Sequence, residues 1–211
     1  MRVKICGITN LADGEESVRL GAWAIGLIHH DQSPRRCEPD EAARIGAALR
    51  RRCEVAGVFV NPTLEEVDRA VENAGMTIVQ LNGEEGPSFC TEVARRTGAK
   101  VMKACHVGSA ADVHAAEVYK TDFHLFDTRR PGLWGGTGES FDWGLLRERR
   151  ASAPFVLAGG LRPGNVGEAI AAARPFAVDV ASGVEAEPGR KDHRLLAAFF
   201  EAARSASQTA A

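Results

Sequence analysis

The stretch Met1-Arg-Val-Lys-Ile-Cys-Gly-Ile-Thr9 reads as the opening unit of an α/β fold. A short apolar strand, Val3–Cys6, ends in a cysteine, Gly7 turns the backbone, and the polar pair Thr9-Asn10 can cap a following helix. In parallel sheets and barrels a side chain at a strand's C-terminal end points into the mouth where chemistry takes place. Cys6 stands there, and an accessible thiolate can serve as nucleophile or base. Taken by itself, Cys6 could equally be a small apolar residue finishing a buried strand.

The same strand-then-helix reading repeats along the chain. Further strand candidates are Ala24–Ile28, Glu54–Phe59, Thr77–Leu81, Lys100–Ala104, Phe123–Asp127, Phe155–Ala158 and Ala177–Val180. Between and after them lie helix candidates Leu11–Leu20, Pro39–Arg51, Thr63–Asn73, Pro87–Thr97, Ala110–Val118, Trp143–Arg149, Pro163–Ala172 and His193–Arg204. Pro39, Pro87 and Pro163 fall where a first helical turn tolerates proline, and Gly21, Gly75 and Gly98 where helices end. Strict alternation implies a parallel sheet, and eight units imply a closed (β/α)8 TIM barrel in one domain, residues 1–204, with a tail Ser205–Ala211 expected to fray. A doubly wound open sheet is the competing architecture, but no G-x-G-x-x-G follows the first strand.

Bulk properties narrow the function class. The 211 residues are 45% hydrophobic and 26% charged with a formal net charge of -2, which gives no support to a nucleic-acid or membrane-surface partner. Cys6, Cys37, Cys53, Cys90 and Cys105 show no C-x-x-C spacing. That argues against a disulfide framework or zinc cage and for a reducing, cytoplasmic setting. No signal peptide and no membrane-spanning apolar run is read.

A barrel places its active site at the C-terminal strand ends. Asp127 closes the sixth strand, where it is either a general acid or an ion-pair partner of Arg129; with Cys6 it makes an acid and a base from different strands, a pairing suited to proton-shuffling isomerisation. Gly159-Gly160 and Ser182-Gly183 follow strands seven and eight, the customary place for a phosphate held by backbone amides, with Asp179 at the end of strand eight as a further substrate contact. Arg35 and Arg36 can grip a carboxylate or be solvated loop charges. His29 and His30 lack a spaced third ligand, so they read as loop or mouth residues, as do His106, His114, His124 and His193. The remaining cysteines read as packing or loop thiols. Trp143 is expected to pack under its helix and Trp134, in the glycine-rich loop Arg129–Glu139, to shield the mouth.

As a set, Lys4-Ile-Cys-Gly-Ile-Thr9, Val79-Gln-Leu-Asn-Gly83, Phe126-Asp-Thr128, Gly135-Gly-Thr-Gly138, Phe141-Asp-Trp143, Ala158-Gly-Gly-Leu161, Asn165-Val166, Pro175–Val180 and Ser182-Gly-Val-Glu185 resemble the phosphoribosylanthranilate isomerase family. The likeness runs from the first strand to Lys191-Asp192-His193. The resemblance implies a TIM barrel without metal or organic cofactor and a small phosphorylated substrate. The reaction implied is an Amadori rearrangement in tryptophan biosynthesis. It implies Cys6 as general base, Asp127 as general acid, Arg35 near the anthranilate carboxylate, and a phosphate grip around Gly159-Gly160 and Ser182-Gly183. For that chemistry the site of Cys6 should favour the thiolate. The chain departs from the family's pattern at Asn82, where Gln-Leu-His-Gly is usual, at Ile28-His29-His30, where aromatic residues are usual, and at Ala181, where a serine is usual. These departures keep two other readings open: a paralogue acting on a different aryl-aminoaldose phosphate, and a non-catalytic phospho-ligand-binding barrel. Monomer and homodimer are both compatible with the sequence.

Overall fold

The computed structural model describes residues 1–128, 142–150 and 153–209. Eight parallel strands close into a barrel in sequence order: β1 Arg2–Cys6, β2 Ala24–Ile28, β3 Glu54–Phe59, β4 Ile78–Leu81, β5 Lys100–Val107, β6 Phe123–Thr128, β7 Phe155–Leu157 and β8 Ala177–Val180. β8 pairs back onto β1 through Lys4↔Asp179 and Ile5↔Val180, which completes the ring. Around it lie α1 Leu11–Arg19, α2 Pro39–Leu49, α3 Leu64–Ala74, α4 Pro87–Thr97, α5 Ala110–Ala115, α6 Val166–Ala173 and α7 His193–Thr209. The TIM barrel expected from strict alternation is the fold.

Period-two alternation divides the core in two. On β1, Val3 and Ile5 face outward into the barrel–helix layer, while Lys4 and Cys6 face the barrel interior. The interior is filled by Ala56, Ile78, Met102, Ala104, Leu125, Val156, Ala158 and Ala177. At the N-terminal end Trp23, Phe123 and Phe176 meet with ring centroids 5.5 Å apart and close the barrel floor. The mouth is left for polar groups.

Local sequence explains most element starts. Asn10 caps α1 by accepting the Asp13 amide at 2.9 Å, and Thr63 forms a capping box with Glu66 at the start of α3. Four features depart from the sequence-based expectation. β5 continues to Val107 because β6 pairs with it as far as Thr128. Trp143–Glu148 is a 3-10 helix, not an α-helix. α6 begins at Val166, since Asn165 Oδ1 accepts the Arg162 amide at 2.8 Å and holds residues 162–165 in a turn. α7 runs on to Thr209, past the end expected at Arg204: Leu196, Phe199, Phe200 and Ala203 are buried at helical spacing, and Ala206 still packs on the core. A further element has no counterpart in the sequence reading, an antiparallel hairpin of β9 Glu185–Glu187 and β10 Arg190–Lys191 between β8 and α7. Among the described residues no helix is long and apolar enough to cross a membrane.

Candidate active site

A cavity of about 260 Å³ opens at the C-terminal mouth. Cys6 from β1, Arg35 from the β2–α2 loop, Gln80 and Asn82 from β4, Asp127 from β6, Gly159 and Gly160 after β7, and Asp179 and Ser182 from the end of β8 line it together. Seven of the eight residues expected at the site therefore meet in one space. Gly183 stands just behind the lining: a Cβ there would lie 1.9 Å from Leu161 O, so only glycine lets the loops after β7 and β8 touch. Gly159, at φ +90, has the Asp127 carboxylate and Thr128 against it on the side a Cβ would occupy. Trp134, the Arg129–Glu139 loop and the Gly135–Gly138 motif lie outside the described residues, as does Phe141; Trp143 packs against the core as expected.

Cys6 is buried among charges. Lys4, one inward position below it, donates from Nζ to Asp179 Oδ1 at 2.9 Å and stands close enough to the thiol to act on its charge. Gly26, paired with Cys6 on β2, leaves room for both the sulfur and the Lys4 ammonium: a Cβ there would come within 2.9 Å of Sγ and 3.2 Å of Nζ. Burial pushes the thiol above its ordinary value; Lys4 and Lys191 pull it back, and Asp179 opposes them, leaving a net rise. This corrects the expectation that the site favours the thiolate outright. Two cations only moderate the cost of burying it.

Asp127 moves the same way with a different consequence. Burial raises its carboxyl above the ordinary carboxylate range, and Asp179 adds to the rise. The Thr128 amide, donating to Oδ1 at 2.7 Å, and the nearby His106 and Lys4 only partly counter it. A protonated carboxyl at the mouth is a competent acid. Its alternative reading, as an ion-pair partner of Arg129, falls on a residue outside the described ones.

The two arginines separate. Arg36 pairs with Asp31 at 3.0 Å and with Glu38 on the surface. Arg35 turns inward and is held by Glu185, Nε lying 3.0 Å from both carboxylate oxygens and Nη2 2.9 Å from Oε2. Glu185 is in turn bonded by Lys191, whose buried Nζ also donates to Cys6 O at 2.7 Å and Ala181 O at 3.2 Å. Arg35 and Lys191 hold the Glu185 carboxyl below its ordinary value against the opposing effect of burial. Sequence reading missed Lys4, Glu185 and Lys191 as parts of this site; the Pro188-Gly189 turn signal was the one clue to the hairpin that carries the last two.

His29 stacks on Phe59 with ring centroids 5.1 Å apart, and burial beside Arg36 pushes its pKa down to about 4, so it is a neutral packing residue. Among the described residues no group of His, Cys, Asp and Glu has the arrangement of a metal site.

The family model of N-(5'-phosphoribosyl)anthranilate (PRA) isomerase matches residues 3–202, almost the whole barrel. The chain belongs to the phosphoribosylanthranilate isomerase family. It is 46% identical over 191 residues to the N-(5'-phosphoribosyl)anthranilate isomerase of Citrifermentans bemidjiense, covering 90% of this chain and 91% of that one. The crystal structure of phosphoribosyl anthranilate isomerase from Thermotoga maritima superposes with a TM-score of 0.89 at 41% identity over 97% of this chain and 99% of that one. An isomerase of the family in complex with reduced 1-(o-carboxyphenylamino)-1-deoxyribulose 5-phosphate superposes at 0.84 with 39% identity, covering 97% of this chain and 99% of that one. Of the positions where this family member departs from the usual pattern, Ile28, His30, Asn82 and Ala181 line the cavity, whereas His29 does not.

Proposed function

We propose that Cys6 is the general base and Asp127 the general acid of the reaction that defines the family, isomerisation of N-(5'-phosphoribosyl)anthranilate to 1-(2-carboxyphenylamino)-1-deoxyribulose 5-phosphate. Protonated Asp127 gives its proton to the ribose ring oxygen as the bond from that oxygen to C1 breaks. The anilino nitrogen supplies the electron pair and becomes a protonated imine. Cys6 thiolate then takes the proton from C2, and the C–H electron pair forms the C1–C2 double bond while the imine nitrogen is neutralised. The resulting enol loses its hydroxyl proton and gains one at C1, leaving the ketone. The cationic imine stands beside the developing thiolate, which adds to the help of Lys4 and Lys191 at the moment the base is needed.

Remote contacts position the sugar. Gly159 and Gly160 donate no backbone hydrogen bond among the described residues, and the 3-10 turn Ser182–Val184 presents its first amides beside them, which suits a phosphate dianion. Arg35 faces the carboxylate of the aryl ring, and Asp179, whose Oδ1 is held by Lys4, takes a sugar hydroxyl. Binding energy from both ends of the substrate aligns C1 and C2 between the two catalytic groups. The single observation that carries this reading is that an acid lifted by burial and a thiol flanked by two ammonium groups open onto one cavity from non-adjacent strands.

The test is loss of phosphoribosylanthranilate fluorescence with wild type, Cys6→Ala and Asp127→Asn. Rapid consumption by wild type, and turnover lowered by at least about a hundredfold in each variant, is expected for paired acid–base catalysis. A variant that is folded and retains wild-type kcat removes the role given to that residue.

A further inference from the structure

Glu185 is not part of the cavity lining, whereas Arg35 is. The carboxylate lies along one side of the guanidinium, with both oxygens on Nε and Oε2 also on Nη2, and Nη1 makes no hydrogen bond among the described residues. A guanidinium has two edges able to take a planar carboxylate. With the Nε–Nη2 edge filled, the end carrying Nη1 and the outer Nη2 hydrogen is the one left to a ligand. The side chain has little freedom to choose otherwise: its stem lies against Gly7, where a Cβ would stand 2.9 Å from Arg35 Cδ, directly next to Cys6. Lys191 fixes Glu185 itself, joining its Oε1 at 2.8 Å to the carbonyls of Cys6 and Ala181.

We propose that Glu185 is the positioning residue that selects the edge of Arg35 offered to the substrate, so that the C-terminal hairpin sets preference for an aryl amine with an ortho carboxylate. This rests on the reading of Arg35 as the carboxylate contact. Hairpin, carboxylate grip and base are tied into one unit through Lys191, so an aryl ring seated on Arg35 is placed at a fixed distance from Cys6.

The experiment compares two substrates, each made by condensing the aryl amine with ribose 5-phosphate: phosphoribosylanthranilate and its congener from aniline, which lacks the carboxylate. For Glu185→Gln the expected result is a KM for phosphoribosylanthranilate raised roughly tenfold, the scale of one misaligned charge-assisted contact, with kcat little changed. The aniline congener should lose almost nothing, and adding Glu185→Gln to Arg35→Met should have no further effect on the ratio of the two substrates. Glu185→Asp keeps a charge beside Lys191 but loses the reach to both Nε and Nη2, and it gives the same loss of discrimination should the glutamine variant not fold. Equal losses on both substrates, or effects of the two sites that add in full, overturn the proposal. If Arg35→Met changes the ratio while both Glu185 variants leave it alone, the proposal falls and the reading of Arg35 stands. If Arg35→Met leaves the ratio unmoved, both fall.

Discussion

Lys4 Nζ donates to Asp179 Oδ1 at 2.9 Å one layer below Cys6, where the two strands that close the barrel meet in register. A fully buried ammonium is costly, and it is kept here because it faces a carboxylate and a thiol at once. Burial works against the charge, and Asp179 and Cys6 more than offset it, so the ammonium is held above its ordinary value. The seam of the barrel is thereby also the electrostatic support of the base.

Lys4→Met should therefore shift the pH profile. Burial lifts both the Cys6 thiol and the Asp127 carboxyl above their ordinary values, and Lys4 restrains both rises. The productive form needs the thiol ionised and the carboxyl protonated, so kcat/KM is bell-shaped in pH with one limb set by each group. Removing Lys4 lets both groups rise, so both limbs move to higher pH. Limbs that stay in place in Lys4→Met would dismiss Lys4 as a support of the base.

Asp127→Asn should abolish turnover and strengthen the fold. A carboxyl whose native value is raised binds more protons folded than unfolded, so its contribution is fully present below the unfolded value and is lost as pH rises through the native one. At neutral pH the native state bears that loss, and the neutral amide does not. Its Oδ1 can still accept the Thr128 amide. We expect a gain of roughly 1–2 kcal/mol in urea unfolding at pH 7.5 that shrinks as pH falls towards the ordinary carboxyl range. A loss of stability at pH 7.5 would mean that the buried carboxyl is not strained.

The strand ends that carry Cys6 and Asp127 are legible in the sequence because short apolar runs bounded by glycine and polar residues mark them, and strict alternation fixes that all eight ends share one mouth. Lys4 is not legible: a lysine inside a strand reads as a solvated charge until a partner 175 residues away is brought to its side. Glu185 and Lys191 escape for a related reason. Their strands are three and two residues long, too short for a periodic signal, and their bonds to Arg35 and to the Cys6 carbonyl exist only once the barrel has closed. The 3-10 helix at Trp143–Glu148 is a failure of another kind, since an amphipathic stretch of that length does not distinguish the two helical forms.

Gly183→Ala should damage binding more than stability. Its methyl would have to displace the Leu161 carbonyl, forcing apart the loops after β7 and β8 at a cost of about 1–3 kcal/mol. Those loops are the proposed phosphate grip, and a displacement near 1 Å should lower kcat/KM by roughly tenfold to a hundredfold. Gly164→Ala, between β7 and α6 with no atom within 4 Å of its added methyl, is the control and should change neither urea midpoint nor kinetics. Equal behaviour of the two variants would show that contact between the loops is not what organises them.

Asn82, where the family usually carries histidine, decides whether the departures at the mouth matter to the substrate or only to the protein. Its Oδ1 accepts Gln80 Nε2 at 2.8 Å, and both side chains are buried under the cavity. Asn82→Leu strands the Gln80 amide and should cost about 1–3 kcal/mol of stability. Histidine can accept the same bond through a ring nitrogen, so Asn82→His should stay within about 1 kcal/mol of wild type and leave kcat/KM for phosphoribosylanthranilate unchanged. The opposite pattern, a stable leucine variant and a histidine variant with a raised KM, would mean that the substrate, not Gln80, is the partner Asn82 serves. The departures at His30 and Ala181 would then be read with it as changes in what the aryl pocket admits.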